Sequence, residues 1–293
     1  MRIIFIGSVY FSKVMLEKLI ELNALVVGVI TKEKSSFNAD FEDLSSIAIR
    51  NRIPFNYVQN INESSSIEWI KNLNADIIFC FGWSNLIKKD VLTTCPLGVI
   101  GFHPSLLPQN RGRHPLIWAK VLGLKKSGTS FFFMDEGADT GDLLDQKEFE
   151  ILFEDDAAVL YEKMISNALQ QIQSFLPKLQ NGTFSKCKQS NLGNIWRKRN
   201  AADGLIDFRM TSESICNLVR GLSKPYPGAH CLFMGEEIKI WNVELSISHE
   251  ENLEPGKVLE VNEANIKVKT FDGAIILTKH EFITIPPLGS YLK

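Results

Sequence analysis

The 293-residue chain predicts an α/β fold, a mostly parallel open sheet flanked by helices and followed by a small β-barrel, on three observations. Apolar runs alternate with helical periodicity through residue 180, short strand-like runs with polar turns dominate after residue 230, and a polar, basic stretch separates the two regimes. With 45% hydrophobic residues the chain has the material for a full core.

Arg2 to Ile6 reads as a buried strand, and Phe11 to Glu21 has the helical spacing Val14, Leu16, Leu19, Ile20. Ala24 to Ile30 is a second, β-branched strand. This β-α-β opening favours parallel pairing. Two further helix-then-strand pairs follow, Ile67–Leu73 into Asp76–Phe81 and Leu86–Leu92 into Gly98–Phe102, and a Rossmann-like, doubly wound sheet is the economical arrangement. From Ala157 to Leu179, Val159, Leu160, Met164, Ala168, Leu169, Ile172 and Leu176 line one face of a long helix that Pro177 should stop near its end.

Gln180 to Arg199 contains Asn181-Gly182 and has linker composition. Beyond it a short helix, Ser212–Leu222, precedes the turn-forming "SKPYPGAH". Strand-like runs then follow at Cys231–Phe233, Ile238–Leu245, Gly256–Val261, Asn265–Thr270 and Gly273–Thr278. These mean a small barrel or sandwich. The predicted division is a catalytic domain over residues 1–180, a linker over 181–203 and an OB-like domain over 204–293.

A net charge of −2 and a pI near 6.2 provide no general field for a polyanion, so a nucleic-acid partner is not expected. The basic cluster Lys186, Lys188, Arg197, Lys198, Arg199 reads as a solvated linker. Five cysteines, at 80, 95, 187, 216 and 231, form no CxxC pair, and no signal peptide follows Met1; reduced thiols in a cytoplasmic protein are expected. No apolar span suits a membrane. Histidines at 103, 114, 230, 249 and 280 show no metal-ligand spacing, and no metal is expected.

The chemistry concentrates between Gly101 and Asp142. His103 follows the apolar run Leu97–Phe102, and an acidic, glycine-punctuated turn follows the run Ser130–Met134. Ligand crevices in open α/β sheets lie outside the carboxyl ends of the strands, so His103 and Asp139 are expected to meet there as a proton-handling pair. Dinucleotide binding is disfavoured, since "IGSVYFS" has Gly7 alone where three spaced glycines are needed. There is no GxSxG elbow. Ser105, flanked by Pro104 and Leu106, is unmarked as a nucleophile, and Cys95 reads as packing.

"HPSLLP" at 103–108, "RG" at 111–112 and "MDEGADTGD" at 134–142 resemble the N10-formyltetrahydrofolate-dependent formyltransferases. "ADGLIDF" at 202–208, "LVRGLSKPYPGA" at 218–229 and "IKIW" at 238–241 are similar to the second domain of the transfer-RNA enzyme and of the formyltransferase half of the lipid A aminoarabinose enzyme, so the likeness covers nearly the whole chain. It implies formyl transfer from N10-formyltetrahydrofolate to a primary amine through a tetrahedral intermediate. The family's catalytic set is Asn, His and Asp; His103 and Asp139 match the last two, and Gly101 stands at the Asn position. Losing one such donor costs about 3–4 kcal/mol in an oxyanion hole. The Gly101 backbone N–H, Ser84, Asn85 and Asn110 are the replacements at hand.

By the same resemblance the folate site comprises Phe81, Gly82, Trp83, Leu86, Ile87, Leu106, Leu107, Pro108, Glu136, Gly137, Ala138 and Asp139. Ser8, Tyr10, Asn110, Arg111, Arg113 and His114 are expected to face the acceptor. The arginines of "RGRHP" suit phosphate oxygens, and the balanced charge favours a small acceptor. The wording is most like enzymes that formylate nucleotide-linked amino-dideoxy sugars for surface glycans. The alternatives are a methionyl-tRNA formyltransferase, formylation of an amino-acyl amine, a deformylating hydrolase and an inactive folate-binding relative. A homodimer is among the expected assemblies.

Overall fold

Ile3, Ile4, Phe5 and Ile6 are fully buried, because the strand they form, β1 (Arg2–Ile6), has a neighbour on each side. The computed structural model describes residues 1–35, 40–248, 250 and 252–293, so His249 lies outside the described residues. After β1 come α1 (Tyr10–Glu21), β2 (Leu25–Thr31), α2 (Ser45–Arg50), β3 (Phe55–Tyr57), α3 (Ser64–Asn72), β4 (Ile77–Cys80), α4 (Lys89–Leu92) and β5 (Val99–His103). The chain continues through β6 (Arg111–Gly112), α5 (Pro115–Val121), β7 (Lys126–Phe133), β8 (Leu143–Glu150), α6 (Ala157–Gln180) and β9 (Ile195–Trp196). The last elements are α7 (Ser212–Gly221), β10 (Ala229–Phe233), β11 (Glu236–Ser246), β12 (Val258–Asn262), β13 (Asn265–Lys269) and β14 (Ala274–His280).

Two compact units share these elements. One holds Met1–Gly112, Gly128–Phe149 and Lys163–Trp196; the other holds Arg113–Ser127, Glu150–Glu162 and Arg197–Lys293. The first unit's sheet has the order β3-β2-β1-β4-β5-β7-β8. Pairing is parallel from β3 to β5 and antiparallel between β5 and β7. Chain order reverses across β1 and β4, which places the switch-point crevice at the carboxyl ends of these two strands.

Two of the expected helices differ from the sequence reading. The expected helix over Leu86–Leu92 is only the single turn α4, because Asn62 captures the preceding backbone: its Nδ2 donates to Leu86 O at 2.8 Å and its Oδ1 accepts the Lys88 N–H at 2.8 Å. Helix α6 runs past Pro177 to Gln180, where Asn181 N–H donates to the Pro177 carbonyl at 3.0 Å. Strand β8 escapes a sequence reading because "LLDQKEFE" is largely polar, as suits a strand at the end of a sheet.

Aromatic rings fill one face of the first sheet. Phe81 and Phe131 lie 5.1 Å apart between centroids, Phe131 and Phe175 4.9 Å, Phe102 and Phe131 5.0 Å, and Phe11 stacks on Phe102 at 4.2 Å. Phe102 therefore points into this core. By strand alternation its neighbours Gly101 and His103 belong to the opposite face.

In the second unit β10-β11-β14-β13-β12 form an antiparallel sheet around Ile215, Val219, Ile240, Val243, Ile266, Val268 and Leu277. The chain's last residues join its two edges. Val258 N–H donates to Ser290 O at 2.8 Å and Leu292 N–H to Gly256 O at 2.9 Å, while Lys293 N–H donates to Leu232 O at 2.9 Å. Helix α7 is capped by Thr211, whose hydroxyl accepts the Ser214 N–H at 3.2 Å. Among the described residues no helix is long and apolar enough to cross a membrane.

Lys120 of α5 is buried, with Nζ donating to Leu152 O at 3.0 Å and Phe153 O at 2.6 Å. Burial, then the nearby Arg220 guanidinium, push its pKa down to about 8. An unfolded lysine titrates near 10.4, so between about pH 8 and 10.4 the unfolded chain binds more protons and this residue's contribution to stability rises with pH. Urea unfolding across that window should show wild type gaining relative to Lys120→Met; parallel pH profiles would contradict the assignment.

Candidate functional site

Strand β7 runs against β5, so the acidic turn does not leave the sheet at the carboxyl end of β5 as a parallel layout would have it. Phe133 pairs with Ile100, and Met134 N–H donates to Val99 O at 2.7 Å, at the opposite end of the strand. The loop then folds back, with Met134 lying against Gly101 and Asp139 reaching His103. Asp139 Oδ2 is 3.5 Å from His103 Nδ1. The pair meets by a route the sequence reading did not foresee.

His103 is 4% exposed, and its other ring nitrogen, Nε2, is 2.8 Å from Asn110 O. That carbonyl is an acceptor only, so the neutral ring keeps its proton on Nε2 and turns a lone pair on Nδ1 toward Asp139. A proton arriving at Nδ1 finds a carboxylate waiting. The carboxylate is itself held, since Gly112 N–H donates to Oδ2 at 3.0 Å. Asn110 (φ 63) and Asp139 (φ 60) both take the left-handed conformation, which Asn and Asp tolerate best among non-glycine residues. Such backbone persists only where the surroundings over-determine it.

Gly101 is buried in β5 between Cys80 of β4 and Phe132 of β7, so its backbone belongs to the sheet and is not open to a ligand. A Cβ there would lie 2.8 Å from Met134 Cγ and 3.0 Å from Phe132 Cζ. Met134 and Phe132 occupy the space an asparagine would need. Ser105, also buried, donates its hydroxyl to Gln109 O at 2.8 Å. Burial pushes the Cys95 thiol up to about 11, as suits a packing residue.

Arg111 is turned inward: Nε donates to Asp139 O at 3.1 Å and Nη2 to Gln189 Oε1 at 2.7 Å. Arg113 and His114 fall in the second unit, where His114 Nδ1 accepts the Arg199 N–H at 3.3 Å. Burial and then the charges of Arg113, Arg199 and Lys198 hold the His114 pKa below its usual value. In the same unit Arg197 pairs with Asp203 and stands over Trp118 beside Arg199.

Of the residues expected around a folate, Ile87 belongs to the core with Val91 and Leu92, Leu107 is 2% exposed, and Leu86 is 62% exposed. Leu106 packs against Gly128, and Pro108 follows a cis peptide bond. Gly82 (φ 72) sits against Val9, and Ser12 Oγ secures the adjoining Phe81 carbonyl at 2.6 Å. Trp83 lies beneath Lys32, whose Nζ is 4.9 Å from the ring, while the indole Nε1 is buried with no hydrogen-bond partner. Ser8 Oγ is buried and unpartnered in the same way, at the end of β1, while Tyr10 is 44% exposed. In the acidic loop Asp135 Oδ1 accepts the Gly137 N–H at 3.0 Å, Ala138 precedes the left-handed Asp139, and Glu136 pairs with Lys89 at 3.3 Å.

Two residues that the sequence reading missed touch this site. Gln189 and Asn194 come from the stretch expected to be a linker, yet Gln189 Nε2 donates to Asp139 O at 2.9 Å and Asn194 Oδ1 accepts the Asn110 N–H at 2.8 Å. Polar side chains in a loop-like composition carry no signal of such contacts. Gly193 is the nearest to one, because a Cβ there would strike Pro108 O at 2.2 Å.

Residues 1–175 match the formyl transferase family, and residues 198–287 match the formyl transferase C-terminal domain. The chain belongs to the formyl transferase family. A methionyl-tRNA formyltransferase of Alkaliphilus metalliredigens is 30% identical over 98% of this chain and 93% of its own length. The bifunctional polymyxin resistance protein ArnA of Wigglesworthia glossinidia brevipalpis is 32% identical over 86% of this chain, which spans 38% of that longer protein. In fold the chain is similar to an N-formyltransferase from Helicobacter canadensis in complex with folinic acid and dTDP-3-aminofucose, with TM-score 0.73 and 21% identity over 94% of this chain and 98% of that one.

In this formyltransferase the glycine at 101 and the methionine at 134 occupy one volume between them. Gly101→Asn should therefore lower the unfolding free energy by about 1–3 kcal/mol, the usual cost of overpacking, and Gly101→Asn with Met134→Ala should recover part of it. Urea denaturation of the single and double variants checks this; equal stability of wild type and Gly101→Asn would contradict the packing.

Proposed function

We propose that this formyltransferase moves the formyl group of N10-formyltetrahydrofolate to the primary amine of a nucleotide-linked amino sugar, with His103 and Asp139 as its proton-handling pair. The donor supplies a formyl carbonyl bonded to nitrogen; the protein must take a proton from the attacking amine, return one to the leaving nitrogen and meet the charge that grows on the carbonyl oxygen. The observation that carries the reading is the placement of His103 Nδ1 3.5 Å from a carboxylate that the Gly112 N–H holds in place. The ring takes the proton and Asp139 stabilises the imidazolium.

The residues present suit a folate. The buried, unpartnered Trp83 Nε1 and Ser8 Oγ follow β4 and β1, the strands that flank the switch point, and offer polar groups to the edge of a flat heterocycle beside the Trp83 ring. Asn110 lies beside the His103 ring through its backbone carbonyl, and its side-chain amide is the group we assign to replace the donor lost at Gly101. We assign residues 1–180 to donor binding and catalysis and 204–293 to the accessory domain.

A small acceptor is favoured by the chain's balanced charge and by the basic run itself, whose Arg197 and Arg199 are engaged with Asp203. The second reading, formylation of methionyl-tRNA, is favoured by the name of the relatives that match along almost the whole chain.

Nucleotide amino sugars and Met-tRNA offered in parallel with N10-formyltetrahydrofolate separate the two. The expected result is a gain of one formyl mass on a sugar nucleotide; formylation of the tRNA alone would establish the second reading. His103→Ala and Asp139→Asn should each lower kcat by about 10²–10⁴-fold while folate still binds, as positioned proton transfer contributes that much. Either variant retaining more than about a tenth of wild-type kcat would overturn the catalytic assignment.

A further inference from the structure

The catalytic reading rests on His103 and Asp139, but neither is held by its own motif alone. The segment from Cys187 to Trp196 runs along the loop that carries Asp139 and the Asn110–Gly112 stretch that meets His103. Cys187 and Leu143 exchange backbone hydrogen bonds at 2.7 and 2.9 Å, and β9 pairs in parallel with β6, matching Ile195 to Arg111 and Trp196 to Gly112. Between these anchors the side chains of Gln189 and Asn194 point at the two halves of the pair.

The Gln189 carboxamide makes contacts that need both of its ends. Its Oε1 accepts from Arg111 Nη2 at 2.7 Å and Nε at 3.3 Å, while its Nε2 donates to Asp139 O at 2.9 Å and Gly141 O at 2.7 Å. Arg111 Nε reaches the same Asp139 carbonyl, so Gln189, Arg111 and Asp139 close a ring of hydrogen bonds around the left-handed residue that faces His103. Asn194 serves the other half. Its Oδ1 accepts the Asn110 N–H and its backbone carbonyl accepts the Arg111 N–H at 3.1 Å, which orients the Asn110 carbonyl onto His103 Nε2.

We infer that Gln189 and Asn194 are positioning residues for the formyl transfer: Gln189 sets the carboxylate and Asn194 sets the ring tautomer, from a segment outside the motifs that carry the chemistry. The donor and acceptor inventory makes the claim specific. A glutamate at 189 keeps the Arg111 contact but cannot donate to two carbonyls and places a negative charge against them. An aspartate at 194 keeps the oxygen that Asn110 needs, whereas alanine removes it. A segment that only filled space would not distinguish Glu from Gln at one site while tolerating Asp for Asn at the other.

The test uses the full-length enzyme with Gln189→Glu, Gln189→Ala, Asn194→Ala and Asn194→Asp. Each is measured for kcat and donor KM and, with ¹⁵N-labelled histidine, for the His103 ring-nitrogen shifts at one fixed pH. Gln189→Glu, Gln189→Ala and Asn194→Ala should lose about tenfold to a hundredfold in kcat, the scale of a small misplacement of reacting groups, with donor KM within about twofold, and should shift the His103 ring nitrogens. Asn194→Asp should retain most of both signatures. Wild-type kcat and unshifted ring nitrogens in Gln189→Glu and Asn194→Ala would overturn the inference, and so would an Asn194→Asp variant as impaired as Asn194→Ala. The ring-nitrogen measurement needs no acceptor, so a wild type that formylates none of the amines offered defeats the acceptor reading and leaves the positioning claim to be decided by the shifts.

Discussion

The alternation of side chains along β5 is the constraint on which the site depends. Phe102 must enter the aromatic core with Phe11 and Phe131, and with a period of two that choice commits Gly101 and His103 to the other face. A shift of one residue would bury the imidazole among phenylalanines. Because the rings of Phe81, Phe131 and Phe175 interlock from the residue after β4, from β7 and from α6, the register of β5 is held from several directions at once. His103 is thus placed by residues with no chemical role of their own.

Antiparallel pairing of β7 supplies the second half of the arrangement. It brings the acidic loop out beside the beginning of β5, and only a return over the strand face carries Asp139 to His103. The return demands small residues. A Cβ at Gly141 would strike the Phe133 carbonyl at 1.7 Å and one at Gly137 would strike Thr140 Oγ1 at 2.1 Å, so the glycine punctuation of "DEGADTGD" is steric in origin. The glycine at 101 belongs to the same economy, because Met134 crosses β5 at that point and takes the room of a side chain.

Membership of the formyl transferase family says what reaction this scaffold supports, while the acceptor is a matter of groups outside the shared core. The arginine next to the His103–Asp139 pair, Arg111, is spent on Asp139 and Gln189 and so acts on geometry before it acts on any ligand. This gives the "RG" of the motif a physical role: the arginine ties the carboxylate loop and the glycine (φ 99), pressed against the Trp196 carbonyl, lends its N–H to Asp139.

Much of the fold was legible in the chain. Buried strands such as Arg2–Ile6 and the stripe of α6 announce themselves, because period and hydrophobicity are local properties that survive without tertiary context. The nearness of His103 and Asp139 was legible too, the histidine as a polar group ending an apolar run and the aspartate in the acidic turn that follows another. The polar strand β8, the shortening of α4 by Asn62 and the crossing of Met134 over Gly101 were not, since each depends on a partner distant in sequence. The stretch from Cys187 to Trp196 shows the limit most clearly. Its composition describes a linker, and nothing in Gln189 or Asn194 reveals where a carboxamide will point. The sequence by itself determined most of the elements, their order and the candidacy of His103 and Asp139, because those follow from residue type and spacing. Only the tertiary structure decided how the pair is brought together and what holds it there, because a hydrogen bond across fifty positions is set by the packing of everything between.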